Sequence, residues 1–175
     1  MDEIVLVDYD AQWPAMFAVE EARLRAALNP QLIVGIEHFG STAIPGLAAK
    51  PIIDILIAVR SLAEAREQVI GPMRSLDYVF WAHQPKTDRM FFVKGMPPYG
   101  ARRTHHVHIT EPDGELWARL PFRDYLRAHA DEAKRYERLK RDLALTHATD
   151  REAYTAGKSG YVAAVLAKAR AEANS

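Results

Sequence analysis

The 175-residue chain carries 23 lysines and arginines against 23 aspartates and glutamates, so its formal net charge is zero, and it contains no cysteine. Balanced charge gives no general positive field, so we expect no general nucleic-acid binding, and the lack of cysteine excludes disulfides and thiolate metal ligands. The length and the hydrophobic fraction of 49% are typical of a globular protein and predict one domain over residues 1–175.

The start of the chain predicts no signal peptide, and the lack of cysteine agrees with the cytoplasmic location that we expect. The first ten residues, MDEIVLVDYD, are acidic and lack the basic segment and the apolar run of a signal peptide. No stretch has the length of an uncharged membrane span, so we also expect no membrane partner.

The next segments predict a helix followed by two strands. Residues 10–28 repeat apolar side chains at helical spacing, with Asp10 as candidate N-cap and Pro14 at a tolerated early position. The segments QLIVGIEHFG (31–40) and PIIDILIAV (51–59) are rich in apolar and β-branched residues. We interpret both as central strands of a sheet.

The middle of the chain predicts a short helix and three more strands. Ser61 and Glu64 form a Ser-x-x-Glu capping box for a helix that runs to about Leu76. The candidate strands are DYVFWA, RMFFVKG and THHVHIT, and the Pro- and Gly-rich segment KGMPPYGARR is a loop that leads into the last of them.

From Glu115 onward the apolar residues repeat with a helical period. Thr149 and Glu152 form a second capping box, which predicts a last helix through about Ala169. Because the strands come first and the helices last, the pattern predicts an α/β protein of the α+β kind with a C-terminal helical layer.

One carboxylate lies in the middle of the second apolar strand. In an extended chain Ile52, Asp54 and Leu56 share a face, so Asp54 is the polar group of an otherwise apolar surface. A buried carboxylate is costly unless it is paired. Asp54 therefore either caps a helix or pairs with an arginine or lysine, or it belongs to a functional site.

The strand THHVHIT presents two imidazoles on one face. His106 and His108 are two residues apart, whereas His105 points to the other face. With Asp54 they are candidate ligands of a divalent metal such as Mg²⁺, Mn²⁺ or Zn²⁺, because two neutral nitrogens and one anionic oxygen leave open positions for water or substrate. This interpretation requires the two strands to converge.

Two features point to an anion. Gly40, Ser41 and Thr42 follow a strand directly, where backbone N–H groups and hydroxyls can hold a phosphate, although such a turn also occurs merely to reverse the chain. Lys50 and Arg103 provide a basic rim next to the two site strands in sequence, although a solvated loop explains them as well.

Lys158 lies on an apolar helical stripe with Tyr154 and Val162. The ammonium group either extends to solvent along that stripe or reaches the site of Asp54. In the second case Lys158 joins Asp54 as a candidate catalytic residue.

The motifs YDAQWP, IEHFGSTAIPGLAAKPIIDI, RTHHVHI, FRDYLRAH and DREAYTAGKS, spread in this order over nearly the whole chain, resemble the GrpB-like family (UPF0157) of the nucleotidyltransferase superfamily. The resemblance implies a mixed sheet flanked by helices, nucleotide phosphates near Gly40 and Ser41, and Asp54 on the metal-bearing strand. The family also occurs fused to dephospho-coenzyme A kinase in some bacteria, which suggests that it can play a supporting role without its own chemistry.

The sequence departs from the superfamily at one position. Active members carry Asp-x-Asp on this strand and a third carboxylate on a neighbouring strand, which together hold two cations. Here Ile52 stands where the first carboxylate is expected, and His106 or His108 occupies the region of the third. The resemblance therefore supports the fold more strongly than the reaction.

These observations favour a nucleotidyltransferase-like protein that binds a nucleotide or another phosphate-bearing small molecule with a divalent metal. As an enzyme it would polarise a phosphoryl group for attack by an acceptor that the sequence does not identify. The first alternative is a non-catalytic ligand-binding or folding-assistant module on the same fold. A metal-dependent hydrolase ranks last, because neither motif places a carboxylate as general base. No protein partner can be read from the sequence.

Overall fold

A computed structural model describes residues 4–83 and 86–174, and its centre is a mixed sheet of five strands within those residues. Along the sheet the strands lie in the order β1, β2, β5, β4, β3. β2 and β5 are parallel, and the other neighbouring pairs are antiparallel. The strands are β1 (Ile33–Phe39), β2 (Ile53–Val59), β3 (Tyr78–Phe80), β4 (Met90–Lys94) and β5 (His105–Thr110).

The helices pack in two groups. The first group covers one face of the sheet, where every second residue of β2, from Ile53 to Val59, is fully buried against it. It consists of α1 (Trp13–Ala27), α2 (Leu62–Gln68) and α3 (Ile70–Ser75). The second group packs on the connection between β1 and β2, through Ile44 and Leu47. It consists of α4 (Leu120–Ala128), α5 (Ala130–Thr146), α6 (Arg151–Gly157) and α7 (Ser159–Ala173). The α+β architecture with a C-terminal helical layer is thus confirmed.

β1 is an edge strand, which corrects the prediction that it is central. Among the strands that the structure describes it pairs with β2 alone, and Val34 is 50% exposed. β2 does lie inside the sheet, and Leu56, Ile57 and Ala58 are fully buried. The two strands have similar compositions, and composition does not reveal which of them has a second neighbour.

The helix starts follow local capping chemistry with small shifts. Gln12, rather than Asp10, is the N-cap of α1, and the Asp10 carboxylate accepts a hydrogen bond from the Gln12 backbone N–H at 2.8 Å. Ser61 caps α2 as predicted, because its hydroxyl accepts a hydrogen bond from the Glu64 N–H at 3.2 Å. The helix predicted to reach Leu76 is divided at Val69 into α2 and α3.

The last predicted helix is also divided. Asp150, rather than Thr149, is the N-cap of α6 and accepts a hydrogen bond from the Ala153 N–H at 2.9 Å. The helix is then interrupted at Lys158, which is the C-cap of α6 and the N-cap of α7. Within the described residues, no helix combines the length and the apolar character needed to cross a membrane.

Candidate functional site

A two-lobed cleft lies between the free face of the sheet and the C-terminal helices. Its two adjoining cavities have volumes of about 320 Å³ and about 360 Å³. Both are lined by Phe39, Ser41, Asp54, Thr155 and Lys158. The shared wall therefore contains three of the side chains that the sequence marked as site candidates.

The smaller cavity, here called the apolar lobe, is lined mainly by carbon. Its walls are Phe39 from β1, Phe122 from α4, and Val162, Ala163 and Leu166 from α7. Arg119 and Arg123 also line it, and the guanidinium of Arg123 is held by hydrogen bonds within the protein. It donates to the Glu37 carboxylate at 2.7 Å and to the His38 carbonyl at 2.8 Å. The lobe thus offers mostly apolar contacts.

The larger cavity, here called the cationic lobe, collects positive charge. Lys50, Lys140, Arg151 and Lys158 line it, and Asp54 is the one carboxylate among its described lining residues. His106, His108 and Ile52 complete the wall next to Asp54. Four cations facing one anion favour a bound anion, because positive groups brought together in a partly desolvated space repel each other.

Burial lowers the pKa of all three lysines of this lobe. The pKa of Lys50 and of Lys158 falls to about 8, and that of Lys140 falls to about 7, in each case mainly through desolvation. The charge of Lys158 adds to the effect on both other lysines. The three ammonium groups therefore interact, although they come from a loop, from α5 and from the junction of α6 and α7.

Two of these lysines have no polar partner in the described part of the chain. The ammonium groups of Lys50 and Lys158 lie 4.5 Å and 4.2 Å from the centroid of the Tyr154 ring. Within residues 4–83 and 86–174, neither forms a hydrogen bond or an ion pair. Lys140 is only 1% exposed and donates a hydrogen bond to the Ala48 carbonyl. Lys50 and Lys158 are thus free to donate to a ligand.

Asp54 is paired with a histidine across two parallel strands. Asp54 of β2 is in register with His106 of β5, and the Asp54 Oδ1 atom lies 3.1 Å from the His106 Nδ1 atom. Burial tends to raise the pKa of Asp54, but the hydrogen bond with His106 and the charges of His106, His108 and Lys158 hold it below its ordinary value. Because an ionised carboxylate only accepts, we assign the proton of this hydrogen bond to Nδ1.

His106 and His108, which lie on the same face of β5, each have one buried ring nitrogen without a hydrogen-bond partner among the described residues. The Nε2 atom of His106 and the Nδ1 atom of His108 make no hydrogen bond to the described residues. Burial lowers the pKa of His108 to about 4, and its ring stacks on Phe91 with centroids 4.7 Å apart. His105 lies on the opposite face, near Glu20, as the two-residue period of a strand predicts.

The donor groups are not arranged around one cation. No three His, Cys, Asp or Glu side chains in the described part of the chain are placed to hold a metal ion, and this includes Asp54, His106 and His108. The Asp54 carboxylate is hydrogen-bonded to His106, and the lobe around it is lined by four cations. The residues therefore do not fit a divalent metal held by the protein alone, and the metal site stays a prediction.

The turn before the site has a geometry that requires glycine. Gly40 adopts φ 73° and ψ −170°, and a Cβ atom built there would lie 2.5 Å from the Asp54 Oδ2 atom. Ser41 starts a single 3₁₀ turn and lines both lobes. Thr42 lines the cationic lobe, but its hydroxyl contacts the His38 Nε2 atom at 3.0 Å, so it also holds the turn.

One predicted site residue, Arg103, lies outside the cleft, and two cations that line the cationic lobe were not predicted. Arg103 lines neither lobe, and its guanidinium lies 5.3 Å from the centroid of the Trp81 ring, although its charge still contributes to lowering the pKa of Lys50. Lys140 and Arg151 were not predicted. Lys140 lies four residues after Tyr136 on the apolar stripe of α5, and that spacing was the available signal.

Comparisons with known proteins agree along nearly the whole chain. Residues 3–168 match the family described as GrpB protein. A UPF0157 protein of Pseudomonas aeruginosa is 49% identical over 171 residues, which cover 97% of this chain and 69% of that protein. The glutamate-rich protein GrpB of Alkalihalophilus pseudofirmus is 33% identical, and the match covers 94% of both chains.

A solved structure and a longer protein extend the comparison. The crystal structure of conserved protein GrpB from Enterococcus faecalis matches with a TM-score of 0.84 and 29% identity, over 98% of this chain and 100% of that chain. A dephospho-CoA kinase of Mycolicibacterium paratuberculosis is 31% identical, and the match covers 87% of this chain but 42% of that protein.

Proposed function

The chain belongs to the GrpB family, and from that premise and the two-lobed cleft we propose that it binds a phosphate-bearing small molecule. The phosphate lies in the cationic lobe, and an apolar or aromatic group of the same molecule lies in the apolar lobe. A nucleotide is one member of this class. The observation that carries the proposal is the set of four cations around a single carboxylate.

Charge supports the position of the phosphate. Lys50 and Lys158 lack polar partners among the described residues, so an anion would supply the hydrogen-bond acceptors that their ammonium groups need. Hydrogen bonds between charged partners are about twice as strong as neutral ones. Ser41 adds a hydroxyl where the two lobes meet.

Shape and polarity support the position of the organic group. The apolar lobe adjoins the cationic lobe through the wall that contains Ser41, Asp54 and Lys158, so one small molecule can reach both. Cavities of about 320 Å³ and 360 Å³ are each in the range of small-molecule sites. Asp54 at the junction would accept a hydrogen bond from a hydroxyl or amine of the ligand.

Nucleotidyl transfer is the finer form of the proposal and rests on the superfamily resemblance. Lys158 would neutralise the transferred phosphoryl group, and Asp54 would orient the acceptor. A non-catalytic binding module is the second candidate. Ile52 favours it, because an isoleucine lines the cationic lobe at the position of the superfamily's first carboxylate. No observation favours the hydrolase.

The two lobes predict how ligands will rank. We expect 1-naphthyl phosphate to bind at least about tenfold more tightly than inorganic phosphate, because burying on the order of 100 Å² of apolar surface is worth about 2.5 kcal/mol. Ala163→Trp fills the apolar lobe and should remove this advantage while inorganic phosphate still binds. Isothermal titration calorimetry measures both affinities.

The control is Ala164→Trp, which adds the same side chain to the neighbouring position of α7, outside the lining of the cleft. It should leave the preference for naphthyl phosphate unchanged. Equal affinities of the two phosphates for the unmodified protein would contradict the role of the apolar lobe. Failure of both phosphates to bind would contradict the proposed function itself.

A further inference from the structure

We infer that the cationic lobe binds the phosphate group free of divalent metal, with four side chains supplying the positive charge that metal ions supply elsewhere in the nucleotidyltransferase superfamily. The inference rests on the proposed phosphate ligand and adds the form in which that ligand binds. It commits to a free phosphate or pyrophosphate anion rather than to its magnesium complex.

The acidic side of the lobe offers a phosphate-bound metal only the minimum number of carboxylates among the described lining residues. Mg²⁺ takes oxygen ligands and is held by one or two carboxylates together with substrate phosphates. Asp54 is the one carboxylate among the described lining residues, and one of its oxygens lies 3.1 Å from His106. Ile52 provides no ligand, and the neighbouring positions of β5 are histidines.

The basic side already provides the charge that a metal would bring. Lys50, Lys140, Arg151 and Lys158 converge on the lobe from separate parts of the chain. A divalent cation entering this space would be repelled by all four, whereas an anion relieves the repulsion among them. Burial strengthens both effects, because charges interact more strongly away from water.

Magnesium should therefore compete with the protein for the phosphate. Mg²⁺ bound to pyrophosphate cancels part of the negative charge that the four side chains attract. The lobe would then bind the complex less well than the free anion. Metal-dependent sites behave in the opposite way, since there the metal bridges carboxylate and phosphate.

The experiment compares pyrophosphate binding in EDTA and in excess Mg²⁺ by isothermal titration calorimetry at pH 7. We expect binding in EDTA and a several-fold weaker affinity in Mg²⁺. In EDTA, Lys158→Met should weaken binding at least about tenfold, because it removes a charge-assisted hydrogen bond. Lys134→Met is the matched control, because Lys134 is an exposed lysine of α5 outside the lobe, and it should leave the affinity unchanged.

Asp54→Asn separates the two modes of binding by the sign of its effect. Without a metal, removing the carboxylate removes a charge that repels the phosphate, so pyrophosphate should bind as tightly or more tightly. With a metal held by Asp54, the same variant should lose binding. Thermal unfolding of each variant confirms that it is folded before its affinity is interpreted.

The outcomes are distinguishable. Binding that requires Mg²⁺, or that Asp54→Asn abolishes in Mg²⁺, overturns the metal-free inference and leaves the proposed phosphate site standing. Stabilisation of the unmodified protein by Mg²⁺, Mn²⁺ or Zn²⁺ alone that Asp54→Asn removes would overturn it as well. Absence of pyrophosphate binding in both buffers overturns the proposed function, and with it the inference.

Discussion

Replacing Gly40 by alanine is expected to lower the free energy of unfolding by at least about 2 kcal/mol and to abolish phosphate binding. The backbone at Gly40 has φ 73° and ψ −170°, a region that residues other than glycine rarely occupy. Holding another residue there costs about 1–3 kcal/mol. The new Cβ would also lie 2.5 Å from the Asp54 Oδ2 atom, so the turn or the Asp54 carboxylate must move.

Two other glycines distinguish the cost of backbone strain from the cost of the contact with Asp54. Gly46 has φ 76° but open space around its Cβ position, so Gly46→Ala should show backbone strain alone. Gly160 has open space and no positive φ, so Gly160→Ala in α7 should be neutral or slightly stabilising. Urea denaturation and pyrophosphate titration measure the series. Equal stability and affinity of Gly40→Ala and the unmodified protein would show that the turn does not fix the site.

Replacing Lys140 by methionine should have the opposite effect on stability. Lys140 is 1% exposed, and burial lowers its pKa from 10.5 to about 7, so the folded state carries a charge that it disfavours. Methionine has a similar shape without the charge. Allowing for the unpaired Ala48 carbonyl, we expect a gain of about 2–3 kcal/mol below pH 7. Pyrophosphate affinity should fall at least about tenfold, because the lobe loses a cation.

The pH dependence identifies the cause of this gain. Between about pH 7 and pH 10.5 the unfolded lysine binds its proton more tightly than the folded one, so the unmodified protein gains stability as the pH rises. The advantage of Lys140→Met should therefore be largest below pH 7 and disappear towards pH 10.5. Denaturant unfolding at pH 6 and pH 10 tests this, with Lys134→Met as the control. A constant advantage at both pH values would show that packing, rather than charge burial, is the cause.

The prediction also bears on function. Functional sites often retain groups that lower stability, and the position of Lys140 in the lining of the cationic lobe makes it a candidate for such a group. Lys140→Met should therefore give a more stable protein that binds phosphate more weakly. A variant that gains stability and keeps its affinity would remove Lys140 from the binding site.

Local patterns in the sequence were sufficient for the type and order of the elements and for the faces of the strands, but not for the breaks in two helices at Val69 and Lys158. The alternation of β5 placed His106 and His108 on one face and His105 on the other, because the strand period is a property of the extended backbone. The capping hydroxyl of Ser61 was equally readable, since its partner N–H is three residues away. Such features depend on neighbours within one element.

The composition of the cleft was decided by packing between distant segments. Lys140 and Arg151 join the cationic lobe because α5 and α6 fold over the free face of the sheet, whereas Arg103 lies beside the Trp81 ring and outside the lobe. The edge position of β1 likewise depends on tertiary packing, because β5 pairs with β2 and not with β1.

The sequence by itself determined the order and type of the strands and helices, although not where two of the helices divide, and it determined the face on which Asp54 and the two histidines lie. The tertiary structure decided what surrounds Asp54: a hydrogen-bonded His106 and four cations from separate parts of the chain, rather than further carboxylates. The physical reason is range. Periodicity fixes the direction of a side chain from its own backbone, whereas the charge and the solvent around a buried group depend on every segment that packs against it.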